Sequence, residues 1–225
     1  MSDPKFAIMD NIATITLSSP ETRNAITRPH ISQIKEALEE WKSTKVSALI
    51  INAMGNTFCS GMSFDEFDKG DWSQNPISDL CDHIENFPAP TICSLIGGVY
   101  GGGVEIAISC DFRVADRNLR LAVPAAKLGI NYGSKGIARA IQLIGIKNVR
   151  KIYLLGERLE IAELIKAGFV DFVAKDKKFV QFKSEELAFR ISKLDSRAVN
   201  GMKNSILKIS NCAIDIESDF CRFQD

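Results

Sequence analysis

A chain of 225 residues, 45% hydrophobic and 25% charged, can bury a full core and is not composed like a disordered segment. Its 28 basic and 28 acidic residues cancel, and no window gathers Lys and Arg with interleaved aromatics, which argues against a nucleic-acid partner. The opening MSDPKFAIMD lacks the apolar stretch of a signal peptide and the Arg-rich pattern of a transit peptide, and no apolar run is bilayer-length, so the expectation is a cytoplasmic protein with no membrane partner.

Six cysteines (Cys59, Cys81, Cys93, Cys110, Cys212, Cys221) are scattered without a C-x-x-C pair and sit mostly in apolar segments, so they read as reduced core residues. With only His30 and His83 available, a zinc site would need Cys or carboxylate clusters at ligand spacing, and the sequence offers none. Both histidines read as structural or solvated.

In chain order, Lys5 to Asp10 and Ile12 to Leu17 alternate apolar and polar residues around Asn11, which predicts two short strands joined tightly. Thr27 can cap a helix that Pro29 starts, and Ile31, Ile34, Leu38 and Trp41 recur at helical spacing, predicting a helix over 28–43. Ala48 to Asn52 suits a buried strand, and the loop GNTFCSGMS follows it. Ile77 to Phe87 reads as helix, Thr91 to Ile96 as strand, Gly101 to Cys110 as helix, and Phe112 to Ala115 and Leu119 to Ala122 as strands. This alternation predicts an α/β core built from a repeated ββα turn, arranged as a spiral. From Gly136 onward the chain reads as helical over 136–144, 148–155, 161–167, 181–193 and 197 to about 219, interrupted at Val170 to Val173.

The most informative stretch is Thr91 to Asp111, TICSLIGGVYGGGVEIAISCD. A strand runs into Gly97 and Gly98 and a helix starts near Gly101, which places unpaired N–H groups and the positive end of a helix dipole at one spot. No frame through these glycines gives the dinucleotide fingerprint, and Gly103 is followed by Val104 and Glu105, not by the Lys-Ser/Thr of a phosphate-cradling loop. Close helix packing is the structural alternative for them. Glu105 stands among Val104, Ile106, Ala107 and Ile108. A carboxylate in so apolar a helix is either a proton carrier with a raised pKa or the partner of an arginine such as Arg113.

Five segments carry a resemblance: PETRNAI (20–26), NTFCSGMSF (56–64), GGVYGGGVEIAISCDFRVA (97–115), PAAKLGI (124–130) and LLGERLEIAELIKAGFVDFV (154–173). In order and spacing they resemble the enoyl-CoA hydratase/isomerase (crotonase) superfamily over nearly the whole chain. The resemblance implies a spiral ββα acyl-CoA-binding core over 1–175 and a shortened C-terminal helical trimerisation region over 176–225, with homotrimers or hexamers. It implies an acyl-CoA thioester substrate, with coenzyme A as part of the substrate and no other cofactor.

By motif, Met62 and Gly102 resemble the two residues whose N–H groups hold the thioester oxygen as enolate charge develops. Arg23 and Ala25 resemble the segment along the CoA nucleotide and pantetheine, although a lone Arg23 is equally readable as a solvated charge. Ser60, Met62 and Phe64 resemble the loop that folds over the adenine. Glu105 resembles one of two hydratase glutamates, but the place of the second is Ala125, the place of an isomerase glutamate falls near Gly133, and the Asp usual after the oxyanion residue is Ser63.

LGINYGSKGI (128–137) resembles the methylmalonyl-CoA decarboxylase branch, where a tyrosine stands at the place of Tyr132 and a histidine at the place of Met62. Tyr132 is read as a group that orients a carboxylate or protonates carbon, or as a packing residue. Hydration, isomerisation and decarboxylation of a CoA ester would share this site, and a catalytically quiet thioester-binding protein is the alternative.

Overall fold

The computed structural model describes residues 1–66 and 75–222, with side chains described as far as residue 210. Lys5–Met9 (β1) and Ile12–Leu17 (β2) pair antiparallel. Asp10 and Asn11 close the hairpin at φ 51° and 62°, the twist that a two-residue turn between strands requires. Arg28–Lys42 (α1) starts where expected: the Thr27 side chain accepts from the His30 N–H and Pro29 occupies the first turn.

Ala48–Ala53 (β3), Thr91–Leu95 (β4), Phe112–Ala115 (β6) and Phe172–Val173 (β9) join β2 in parallel, giving a six-stranded sheet in the order β1-β2-β3-β4-β6-β9. Gly98–Tyr100 (β5), Arg120–Ala122 (β7) and Leu159–Glu160 (β8) form a second sheet in the order β5-β7-β8. Isolated bridges extend it: Cys59 pairs with Val99, and Ile26 with Met62.

Each turn of the chain therefore visits the large sheet, then the small one, then a helix. β3, the bridge segment around 59–62 and Pro76–Glu85 (α2) make one turn. β4, β5 and Gly102–Ile108 (α3) make the next, and β6, β7 and Ser134–Val149 (α4) another. This is the expected ββα repeat.

The main core takes Ala13, Ile15, Leu49, Ile51, Cys93 and Leu95 from the large sheet, and Cys59, Val99, Leu121 and Leu159 from the small one. Alternate residues of the same strands, Ala48, Ile50, Ile92 and Val114, point the other way. Lys177–Ser192 (α6) covers them with Val180, Leu187, Ala188 and Ile191, and the Ser94 hydroxyl hydrogen-bonds the Ser184 hydroxyl at 2.7 Å across that interface.

The elements differ from expectation in several places. β5 is a strand in its own right where the sequence suggested only a glycine-rich helix entry, and α3 is correspondingly shorter. β8 was unexpected. The interruption expected at Val170 to Val173 contains a two-residue strand, Phe172 and Val173. α6 starts at Lys177, not 181, because Asp176 caps it by accepting from the Lys178 and Phe179 N–H groups.

The break expected between two helices around 144–148 is a single backbone kink at Gly145 in α4, and a π-helical turn, Arg150–Leu154, continues the chain. Ile161–Lys166 (α5) and the long Ser196–Arg222 (α7) complete the described chain. Cys59, Cys81, Cys93 and Cys110 are free and buried, whereas the Cys212 and Cys221 side chains lie outside the described residues. No described helix is long and apolar enough to cross a membrane.

Candidate active site

A cavity of about 470 Å³ opens between the 60–64 segment, the start of α2, the start of α3 and the 124–133 segment. Its lining is mostly apolar, with polar groups at Ser60, Asn75, Asn131 and Tyr132. That is the makeup of a small-molecule site: an apolar enclosure with a few orienting groups.

Pairing of two loops builds one wall. The Ile26 N–H donates to the Gly61 carbonyl at 2.9 Å, the Ser63 N–H to the Ile26 carbonyl at 2.8 Å, and the Ser60 N–H to the Arg23 carbonyl at 3.0 Å. Asn24 is the bracket that makes this possible. It is buried at φ 54°, accepts from the Ser19 N–H, and donates to the Met54 and Thr57 carbonyls at 2.9 and 2.8 Å. Asn tolerates this left-handed backbone better than most residues, which is the signal in PETRNAI that sequence reasoning passed over.

Gly61 sits at φ +91° against the glycine turn before α3, so close that a Cβ there would lie 3.0 Å from the Gly102 nitrogen and 3.1 Å from the Tyr100 oxygen. Met62 and Gly102 border the same cavity. Among the described residues, neither of their N–H groups has a hydrogen-bond partner. Unpaired backbone donors beside an apolar cavity suit an oxygen that becomes negative. Cys59, behind them, is no nucleophile: burial pushes its thiol up to about 12.

On the opposite wall, Tyr132 lines the cavity and its hydroxyl donates to Glu105 Oε2 at 3.0 Å. Glu105 is 1% exposed and does not itself line the cavity; it stands behind Tyr132. Its other oxygen takes Arg139 Nη1 at 3.0 Å. Desolvation pushes the Glu105 carboxyl up, against the downward pull of Arg139 and of the Tyr132 hydrogen bond. Desolvation and then the Glu105 charge push the Tyr132 phenol well up.

The arginine expected beside Glu105 was Arg113. Arg113 instead pairs with Asp171 at 2.8 Å and donates to the Phe169 and Cys110 carbonyls, because it sits on β6 on the far side of α3. Arg139, on α4, is the partner that sequence reasoning missed.

Of the residues matched to CoA contacts, Ser60 and Phe64 line the cavity, and Phe64 is 69% exposed at its mouth. Arg23 is exposed and Ala25 half-buried on the neighbouring loop; neither lines the cavity, although the Arg23 carbonyl holds Ser60. Asn75, which the motifs did not indicate, caps α2 through Oδ1 and lines the cavity. Ala125 also lines it, so a methyl group stands where the resemblance places a second glutamate. His30 is buried at the start of α1, and His83 hydrogen-bonds the Asp79 carbonyl on α2. Among the described residues no three His, Cys, Asp or Glu side chains gather as metal ligands.

The raised Glu105 carboxyl has a consequence for stability. The folded chain holds this proton more tightly than the unfolded chain does, so the contribution is fully present below the ordinary carboxylate range and is lost as pH rises through the folded value. Thermal melts across that window are expected to show Tm falling with rising pH more steeply in the wild type than in Glu105→Gln.

The two-sheet spiral with helices outside it defines the class: the protein has the crotonase fold. The chain belongs to the enoyl-CoA hydratase/isomerase family, whose profile matches residues 7–211. It is 29% identical over 185 residues to an enoyl-CoA isomerase/hydratase of Mycosarcoma maydis, covering 75% of this chain and 67% of that protein. It is 28% identical over 199 residues to a probable enoyl-CoA hydratase of Bacillus subtilis, covering 85% and 77%. The fold matches the crystal structure of an enoyl-CoA hydratase/carnitine racemase from Magnetospirillum magneticum with TM-score 0.86 at 24% identity, covering all of this chain and 88% of the other.

Proposed function

We propose that the cavity binds an acyl-CoA thioester and turns it into an enolate, with a single proton moving at the α-carbon through Tyr132. The thioester oxygen accepts from the Met62 and Gly102 N–H groups. As the α C–H bond breaks, its electron pair enters the C=C–O⁻ system, the Tyr132 oxygen takes the proton, and the Tyr132 hydroxyl proton passes to Glu105. Reversal at the α- or γ-carbon returns the proton. Preorganised donors of this kind contribute about 3–4 kcal/mol each to the barrier in related chemistry.

The observation that carries this reading is the convergence of two unpartnered backbone N–H groups and one tyrosine–carboxylate pair on one cavity. Hydration is the weaker reading, because Ala125 supplies no second carboxylate to activate water. Decarboxylation of a malonyl-type CoA ester is a second reading, favoured by a phenol at the cavity wall: loss of CO₂ itself leaves the enolate, and only protonation of carbon remains. The cytoplasmic location and the trimer or hexamer remain part of the proposal.

The test is incubation with saturated, enoyl- and malonyl-type CoA esters in D₂O, followed by mass spectrometry. Deuterium at the α-carbon is the expected result, and CO₂ release from malonyl-type esters identifies the decarboxylase. Binding of the esters with neither deuterium nor product would replace this reading with a catalytically quiet thioester-binding protein.

A further inference from the structure

Glu105 cannot be understood apart from what lies behind it. Arg139 is buried, with only 5% of its side chain exposed, and its guanidinium faces three carboxylates on two helices. Nη1 meets Glu105 on α3 at 3.0 Å. Nη2 meets Glu85 on α2 at 2.9 Å and also pairs with Asp82 one turn earlier. The Ser78 hydroxyl lies 3.4 Å from Nη1, and Lys135 takes the other oxygen of Asp82 at 2.9 Å.

We propose that Arg139 is a positioning residue for the reaction inferred above: it divides one guanidinium among Glu105, Asp82 and Glu85, so that the two α2 carboxylates govern how firmly Glu105 is held and aimed at Tyr132.

Three features support the assignment. The division is unequal in environment: Glu105 has no exposed side-chain surface, whereas Asp82 and Glu85 keep 35% and 21% of theirs. The two outer carboxylates can be solvated without Arg139, and Glu105 cannot, so the cation matters most to the residue behind the cavity. Close approach of backbone also fixes the geometry. A Cβ at Gly136, one turn before Arg139 on α4, would lie 2.7 Å from both Glu105 Oε2 and the Tyr132 ring, so glycine lets α4 seat against this pair without displacing it. Finally, Arg139 is held above its ordinary range: desolvation pulls it down, but the hydrogen bond and charge of Glu85, followed by Cys81 and Glu105, outweigh that.

The groups acting on Glu105 from the surrounding elements are Ser78 and Cys81 on α2, Arg139 on α4, Tyr132 on the segment before α4, and Tyr153 on the π-helical turn; Asp82 and Glu85 on α2 reach it through Arg139. Asp82 in turn carries Lys135. Of these, only Arg139 is a cation in contact with Glu105 among the described residues. Neutralising a competitor for Arg139 and weakening Arg139 itself therefore make opposite predictions.

The experiment is a ¹³C NMR titration of glutamate side-chain carboxyls, with the Glu105 signal assigned by its loss in Glu105→Gln. In Glu85→Gln the guanidinium is shared less and a nearby negative charge is gone, so the Glu105 midpoint is expected to fall by about half a pH unit or more. In Arg139→Lys, where one ammonium replaces the fork, it is expected to rise by a comparable amount. If Arg139→Lys does not fold, Glu85→Gln and Asp82→Asn, both on partly exposed groups, carry the test alone.

Rates of α-deuterium exchange should follow, with the acid limb of the pH profile moving down in Glu85→Gln and up in Arg139→Lys. A Glu105 midpoint that stays put in folded Glu85→Gln and Asp82→Asn overturns the proposal. The titration needs no turnover, so shifted midpoints without any exchange would leave the Arg139 assignment standing and remove the enolate chemistry instead.

Discussion

Tyr132→Phe is expected to lower α-proton exchange by about 10²- to 10⁴-fold, the range over which a positioned acid–base group contributes, with CoA-ester affinity unchanged. The substitution keeps the ring, and with it the edge contact to Tyr153 at 5.0 Å between centroids. What it removes is the one oxygen, among the described residues, that both borders the cavity and touches Glu105. Glu105 does not line the cavity, so in the proposed mechanism the buried carboxyl would lose its route to substrate carbon without that hydroxyl.

Removing the hydroxyl also leaves Glu105 Oε2 without its Tyr132 donor in a buried site, and the carboxyl should titrate still higher, because the Tyr132 hydrogen bond is one of the groups pulling it down. Exchange rates measured beside calorimetric binding of a CoA ester separate these effects. Turnover within about twofold of wild type would make Tyr132 a packing residue and leave proton transfer to some other group.

Much of this arrangement was legible in the sequence, for physical reasons that differ by residue. Thr27 with Pro29, and the repeat of Ile31, Ile34, Leu38 and Trp41, state a helix and its start locally, so α1 was read to within a residue of its bounds. Gly97 to Gly103 announced a helix start with free N–H groups, whereas the close approach of Gly61 to Gly102 beside it was not read.

The unread parts are those settled by distant partners or by too few residues. β8 has two residues, and its identity comes from pairing with β7, not from any pattern of its own. α6 was recognised as a helix. Its seat on the outer face of the large sheet depends on Ile50, Ile92 and Val114 facing away from the main core, which period-two alternation hides in strands buried on both sides. Arg113 and Arg139 are equally plausible partners for Glu105 on paper. The choice rests on α4 folding back over α3 across 34 residues, with Gly136 allowing the approach.

Gly61→Ala bears on the other half of the proposed chemistry, in which the enolate would need its oxygen held whichever bond breaks. A methyl group at φ +91° is strained by about 1–3 kcal/mol, and this one would sit 3.0 Å from the Gly102 nitrogen and 3.1 Å from the Tyr100 oxygen. Both contacts are with backbone, which cannot swing aside as a side chain can. Either the carbon stays and covers the Gly102 N–H, or the 60–63 segment shifts and takes the Met62 N–H with it; one donor is lost in each case.

Loss of one such donor lowers turnover by about 10²- to 10³-fold. The strain is small beside the roughly 5–15 kcal/mol of a folded domain, so the variant should remain folded and its CD spectrum native. Deuterium exchange and any CO₂ release should fall together, since both pass through the same negative oxygen. A folded Gly61→Ala protein that kept turnover within about tenfold of wild type would mean that the Met62 and Gly102 amides do not carry the enolate charge, and the cavity would have to stabilise it elsewhere.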